Sequence, residues 1–215
     1  MLYMHIIKPN TCKPVCCVNN TQHYMKKLIL CLLALNISAA AIAQDAQTIQ
    51  KDFQTIIGYT HKLEIDKVLD MTYPPLFKIM PKEQMSAMAK GALTGMGIKT
   101  IFEEVPLGLK LSAVKKLSNA TICLGKYNQS MVMESTQPAL LDMMAKAKMK
   151  DNKVEKLGAG KIRLKGTNYL LAIKDANTAG TWKYLRYDEE DAETNAKILS
   201  KEIATNVAIL KAGLK

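Results

Sequence analysis

The spacing of apolar positions changes along this chain. Between Asp45 and Lys62, Ile49, Phe53, Ile56 and Ile57 recur at i, i+4, i+7 and i+8. That is one face of a 3.6-residue period and predicts an amphipathic helix. Asp66–Met71 predicts a second, shorter helix, with Ile65, Val68 and Leu69 apolar. Tyr73-Pro74-Pro75 must end it, because a proline disfavours helix at the residue before it. Leu76–Met80 adds an apolar turn, and Pro81 suits the first position of a third helix, where its missing N–H costs nothing. Met85, Met88, Ala89, Ala92 and Met96 form the expected inner stripe, and Gly95 and Gly97 the stop.

Beyond Gly97 the period falls to two. Leu107, Leu109, Leu111 and Ala113 alternate, as do Ala120, Ile122 and Leu124, then Tyr127, Gln129, Met131 and Met133. Gly125-Lys126, between the last two runs, fits a tight hairpin turn. Pro138–Met149 interrupts as a helix-compatible insert. Strand patterns resume at Ile162–Lys165, turn at Gly166, and continue through Tyr169–Ile173, a loop at Asp175–Gly180, and Trp182–Tyr187. A last helix starts near Asp191, striped by Ala192, Ala196, Leu199, Ile203, Val207 and Leu210. Helices first and hairpin-linked strands afterwards predict an α+β fold, with the helices on one face of an antiparallel sheet and a C-terminal helix closing the chain.

One stretch has a different character. Met25–Gln44 opens with Lys26 and Lys27, runs through an apolar segment from Leu28, and closes on small residues at Ala41-Ile42-Ala43. That order is a secretory signal peptide with cleavage between Ala43 and Gln44. The apolar run is short for a membrane span, which needs about 20 residues. Cys31 follows Leu30 rather than a small residue, which argues against a lipid anchor there. The expected organisation is an upstream extension over 1–24, a signal over 25–43, and a single domain over 44–215. Residues 1–24 are read as a start placed too early. The competing reading is a metal or redox tip at Cys12, Cys16 and Cys17, a pattern with no second ligand pair. The expected location is outside the cytoplasm, in periplasm or medium.

Subtracting that segment changes the chemistry on offer. The chain of 215 residues has 30 basic and 19 acidic side chains, a net charge of +11. Met1–Ala43 holds Lys8, Lys13, Lys26 and Lys27 and no acid, so the remainder carries 26 basic residues, a net +7. Only Cys123 and His61 remain of the cysteines and histidines, so no internal disulfide can form and a zinc site is not expected. No nucleophile elbow, Walker loop or dinucleotide glycine pattern occurs. No cofactor is expected. Cys123 reads as a small buried hydrophobe. The basic residues after Ala43 are lysines except Arg163 and Arg186, and Lys146, Lys148, Lys150, Lys153 and Lys156 read as ringing a helix. Nucleic-acid readers usually combine arginine with stacking aromatics, so none is expected as partner. The methionines read mostly as core, with an adaptable ligand lining as the sharper alternative.

His61, Asp66, Asp70 and Tyr73 are the polar groups that a pocket near the N-terminal helices could use. Histidine beside acids can move protons. The plainer reading of His61 is a half-exposed residue at a helix end, where a cationic imidazole suits the helix dipole.

IDKVLDMTYPPLFKIMPKEQM, over Ile65–Met85, resembles a segment of exported proteins of the Bacteroidetes group, and TWKYLRYD is similar to their later Trp strand. Those proteins resemble the NTF2-like (cystatin-like, α+β cone) superfamily, which implies N-terminal helices packed on the concave side of a curved antiparallel sheet. The superfamily holds enzymes, ligand-binding domains and scaffolds, so the resemblance implies a fold and leaves the function open. Its catalytic members place an acid and a tyrosine or histidine inside the cone; His61, Asp66, Asp70 and Tyr73 are the groups available for that. The first expectation is therefore binding of an apolar ligand or an envelope protein partner without catalysis. The second is a cone-pocket enzyme of isomerase or dehydratase type. The third is an interaction protein that forms a homodimer through its sheet face.

Overall fold

The computed structural model describes residues 44–95, 97–146 and 152–214, with no account of the side chains of 92–95 and 144. The signal-like stretch, the upstream extension and their four cysteines lie outside the described residues. Asp45–Lys215 forms one compact unit.

The predicted elements are largely present. Helix α1 covers 44–61, α2 Ile65–Met71, and α3 Lys82–Gly95, with a 3₁₀ turn at Pro74–Lys78 between the last two. Seven antiparallel strands follow: β1 (Ile98–Phe102), β2 (Lys110–Leu111), β3 (Lys115–Lys116), β4 (Ala120–Ser135), β5 (Asn152–Gly158), β6 (Lys161–Asp175) and β7 (Lys183–Tyr187). Helix α4 (Pro138–Lys146) sits between β4 and β5, and α5 (Ala192–Ile198) and α6 (Lys201–Gly213) close the chain. The fold is α+β.

The two long strands β4 and β6 pair along almost their whole length, from Ala120↔Asp175 to Glu134↔Lys161, and form the spine of the sheet. The outer side of β4 carries β1, β2 and β3, which together make one broken edge strand. Pro106 and Gly108 interrupt it and lysines stud it, devices that blunt an edge against pairing with another chain. The outer side of β6 carries β5 at one end and β7 at the other.

Three expectations change here. Gly125-Lys126 is not a turn: both residues lie inside β4, opposite Leu170 and Tyr169. A β-carbon on Gly125 would sit 2.0 Å from Cε2 of Phe53, so the glycine makes room for the Phe53 ring of α1. The true hairpin turn is at Ser118-Asn119, closed by Leu117 N–H donating to Ala120 C=O at 2.7 Å. Gly166 likewise lies inside β6, opposite Gln129 and Asn152. Finally, the C-terminal helix is two helices. Ser200 starts the second by accepting a hydrogen bond from Ile203 N–H at 3.2 Å, and Leu199 fills the corner.

Alternation along the sheet sorts the core into two clusters, one per face. On one face Ile122, Leu124, Leu171, Ile173 and Leu185 meet Ile198, Leu199, Ile203, Val207 and Leu214 from α5, α6 and the chain beyond them. On the other, Cys123, Tyr127, Leu170, Ala172 and Tyr184 meet Ile49, Phe53, Ile56 and Ile57 of α1. Helices therefore cover both faces and not one as expected, α1 and α2 on one side and α5 and α6 on the other. Under α1 the sheet presents small residues, Cys123, Gly125 and Ala172, and the Phe53 ring drops between them to meet Tyr184 edge-on at 5.3 Å.

The Tyr-Pro-Pro segment wraps the outer edge of β7 and sends side chains to both faces. Thr72 bridges to Tyr184 on the edge of β7, and Tyr73 N–H donates to Tyr184 C=O at 2.8 Å. Val68 and Met71, before the crossing, pack on the α1 side; Tyr73 and Leu76, after it, pack on the α6 side. Two prolines suit the position, because they offer no N–H to leave unpaired at a sheet edge.

The inner stripe predicted for α3 is partly wrong. Met85 and Ala89 are half-buried and Ser86 is buried, but Met88 points outward at 56 % exposure. Asp66 and Asp70 of α2 explain this. Asp66 accepts from Ser86 Oγ and Lys90 Nζ, both at 2.6 Å, and Asp70 pairs with Lys82. The contact face of α3 is thus Lys82, Ser86 and Lys90, at i, i+4 and i+8.

The lysine cluster also differs from expectation. Lys153 and Lys156 lie on strand β5, and Lys156 pairs with Asp142 of α4 at 2.7 Å. Lys148 and Lys150 lie outside the described residues. Among the described residues no helix is long and apolar enough to cross a membrane.

Candidate functional site

The four candidate side chains do not converge. His61 is the last residue of α1, exposed, and stacks on Phe102 of β1 with centroids 4.7 Å apart and planes within 15°. Burial against that ring holds its pKa below the usual histidine value, opposite to the dipole-favoured cation. Asp66 and Asp70 are spent on α3. The hydrogen bonds from Lys90 and Ser86 hold the Asp66 carboxyl below its ordinary range. Tyr73 is buried on the α6 side, where its hydroxyl donates to Asp175 Oδ2 at 2.6 Å. Burial, then that carboxylate, push the phenol well above its usual pKa. Asp175 also accepts from Asn177 N–H at 2.8 Å, so this trio ties the β6–β7 turn to the edge crossing.

Cys123 is buried in the α1 face, its thiol 3.4 Å from Ser112 C=O. Burial pushes its pKa up, the reverse of what a nucleophilic thiol needs. Among the described residues no group of three His, Cys, Asp or Glu side chains could hold a metal.

The cavity lies elsewhere, and the sheet topology creates it. Along the outer side of β6, β7 ends with Tyr187 opposite Tyr169, and β5 begins with Asn152 opposite Gly166. Thr167 and Asn168 lie between, with no strand beside them there among the described residues. A cleft of about 610 Å³ opens at this gap, within the ~300–1,000 Å³ common for small-molecule sites. One wall is the C-terminal half of α1 and α2, through Ile56, Ile57, Thr60 and Val68. The floor is the sheet, through Tyr127, Gln129, Met131, Leu164, Asn168 and Leu170. Tyr184 and Arg186 of β7 and the Asp188–Asn195 segment form the far rim, where Leu76, Leu185 and Ile198 from the α5/α6 side also reach the cleft.

Sequence reasoning named none of the floor's polar residues as a site. Gln129 and Asn168 are both buried, and Asn168 Nδ2 donates to Gln129 Oε1 at 2.7 Å. A buried amide pair in an apolar floor is the kind of polar group that must be satisfied to be tolerated. Tyr127 is buried next to them; burial pushes its phenol up, and the charge of Arg186 draws it partly back. Tyr127 and Gln129 were visible in sequence only as two positions of an alternating strand. Tyr184, also on the rim, is spent: its hydroxyl donates to Asp52 Oδ2 of α1 at 2.5 Å.

The rim acids serve the backbone. Asp188 Oδ1 accepts from Glu190 N–H at 3.0 Å, and Asp191 Oδ1 caps α5 by accepting from Thr194 N–H at 3.2 Å. Of the methionines, Met131 lines the cleft, which makes the lining aliphatic and aromatic more than methionine-rich. Fold and site together define an α+β domain with helices on both faces of an antiparallel sheet and an apolar cleft at a gap in one strand edge. No protein-family model matches the chain, and neither a curated protein nor a solved structure does.

Proposed function

We propose that this is an exported, non-catalytic domain that binds an apolar small molecule in the cleft between α1, α2 and the sheet. The carrying observation is the cleft itself: largely apolar walls from two helices over a floor whose two buried amides are joined by one hydrogen bond. Such a site desolvates an apolar guest against side chains that are themselves mostly apolar. The signal-like order of Met25–Gln44 supports the exported half of the reading. The NTF2-like resemblance supports the other half, since it implies a pocket between N-terminal helices and sheet. The proton-transfer alternative draws nothing from this geometry, because neither His61 nor Asp66 nor Asp70 lines the cleft.

Titration of the purified protein with Nile red, a neutral apolar dye, tests the proposal. Met131→Trp fills the floor from a half-buried position and should weaken dye binding by about tenfold or more, with the thermal midpoint unchanged. Equal affinity in a folded Met131→Trp variant sinks the cleft as the binding site. Native mass spectrometry of the exported protein would show whether a natural guest leaves with it.

A further inference from the structure

The two arginines of residues 44–214 are used in opposite ways. Arg163 is saturated: its guanidinium donates to Glu103 from Nε at 2.9 Å and Nη2 at 2.9 Å, and to Glu155 from Nη1 at 2.9 Å. Arg186, on the cleft rim, has no hydrogen bond or ion pair among the described residues. It lies on the sheet face that also carries Tyr127: Arg186 is opposite Leu170, and Tyr127 opposite Asn168, two residues along the same strand.

Two further donors in the cleft are unspent. The Tyr127 ring is buried, yet its hydroxyl has no hydrogen-bond partner among the described residues. Gln129 uses its carbonyl oxygen to accept from Asn168, which leaves its own amide N–H groups without a protein acceptor among them. A guanidinium, a phenol and an amide nitrogen thus line one apolar cleft, the first two near its β7 side, while the acids on the rim are turned to backbone N–H groups.

Building on the cleft-binding reading above, we infer that the guest is a single-chain amphiphile with a carboxylate head, the chain between α1 and the sheet and the head on Arg186 and Tyr127. A guanidinium meets a carboxylate with two parallel hydrogen bonds, and charge-assisted bonds of this kind are the stronger class. A dianionic phosphate head fits less well, since Arg186 is the one cation among the described lining residues and Asp188 and Asp191 lie on the same rim.

Displacement of Nile red from the purified protein by decanoate, decanol and decyl phosphate separates the claims. Decanoate should bind about tenfold more tightly than decanol, the ratio expected of one charge-assisted contact. Arg186→Gln should erase that ratio while leaving decanol unchanged, and Tyr127→Phe should reduce it by a smaller factor. Equal binding of decanoate and decanol, or a decanoate preference that survives Arg186→Gln, overturns the carboxylate head and leaves the apolar cleft standing. Tighter binding of decyl phosphate than of decanoate overturns it in favour of a phosphate head. If the dye binds and none of the three displaces it, the amphiphile is wrong while the cleft reading stands. If the dye itself does not bind, both readings fall together.

Discussion

The two faces of the sheet are built from the same two strands and reach opposite ends. Under α5 and α6 the face is closed over its centre: Ile122, Leu124, Leu171 and Ile173 are fully buried under α6, and only Leu185 and Ile198 at its margin, with Leu76 packed against them, reach the cleft. Lys126 secures the lid by donating from Nζ to Leu214 C=O at 3.1 Å, a cation at a helix C-terminus. Under α1 the face is closed at one end and open at the other. Where Phe53 sits over Cys123, Gly125 and Ala172 there is no spare space; where β5 and β7 fail to meet, there is a cleft with unspent donors. The comparison teaches that packing and function divide one strand face by position along it. Small residues draw the helix down at one end, and the missing neighbour strand leaves room at the other.

The sharpest way to break the comparison is a pair of equal truncations. Leu171→Ala, in the closed face, should cost about 2–5 kcal/mol in chemical denaturation, the range for a fully buried leucine. Leu164→Ala, in the half-buried cleft floor, should cost well under half of that. Equal losses would mean the cleft is as tightly packed as the core. Next, Gly125→Ala should lose about 1–3 kcal/mol through overpacking, and Phe53→Leu should restore part of it in the double variant. An additive double variant would remove the claim that Phe53 is what the glycine accommodates.

A smaller contrast separates two tyrosines of the α1 face. Tyr184→Phe removes a bond to the Asp52 carboxylate and should cost about 1.5–3 kcal/mol, whereas Tyr127→Phe should fall within about 0.5 kcal/mol. A large loss for Tyr127→Phe would reveal a structural partner for that hydroxyl. The fourth prediction concerns the N-terminus of α1. Burial alone would raise the Asp45 carboxyl, but hydrogen bonds from Lys174 and Trp182 and the lysine charge outweigh it and hold the pKa below the ordinary 3.8. An acid depressed in the folded state stabilises the fold above its unfolded value and stops doing so as pH falls through the folded one. Asp45→Asn should therefore lower the thermal midpoint at neutral pH and flatten its decline below pH 4 or so. A parallel shift at all pH values would contradict this.

The smallest expected effect is at His61. Its folded pKa lies below the usual 6.5 because the ring, which stacks on Phe102, is partly desolvated. The folded state then prefers the neutral ring, so this group favours folding above the unfolded value and loses that contribution as pH falls through the folded one. An NMR titration of the imidazole should give a midpoint below 6.5 that rises in Phe102→Ala. A midpoint at or above 6.5 would restore the dipole-stabilised cation at the helix end.

Much of the fold was legible because it is local. The i, i+4, i+7, i+8 apolar positions of α1 predicted its inner face correctly, since periodicity reports burial directly. The Tyr-Pro-Pro break was legible for the same reason: proline acts on its own neighbours. The Gly125 turn was misplaced because a glycine in an alternating pattern signals either a turn or a close approach, and only the partner, Phe53, decides which. The split of the last helix at Leu199-Ser200 was hidden by an apolar stripe that runs through the corner.

The site was the least legible part. His61, Asp66, Asp70 and Tyr73 were chosen for their chemistry and nearness in sequence, and the fold spends the last three on tying elements together and places His61 outside the cleft. Tyr127, Gln129, Asn168 and Arg186 come from three strands and meet only across the register of β4, β6 and β7. By itself the sequence determined the succession of helical and strand regions, the inner face of α1, the signal-like pattern of Met25–Gln44 and the lack of a second cysteine after Ala43, because each depends on residue type or short-range spacing. The tertiary structure decided which face each strand residue joins, why Gly125 is a glycine, and where the cleft lies. A gap between two strands on one edge is a property of their pairing, and pairing links residues distant in the chain.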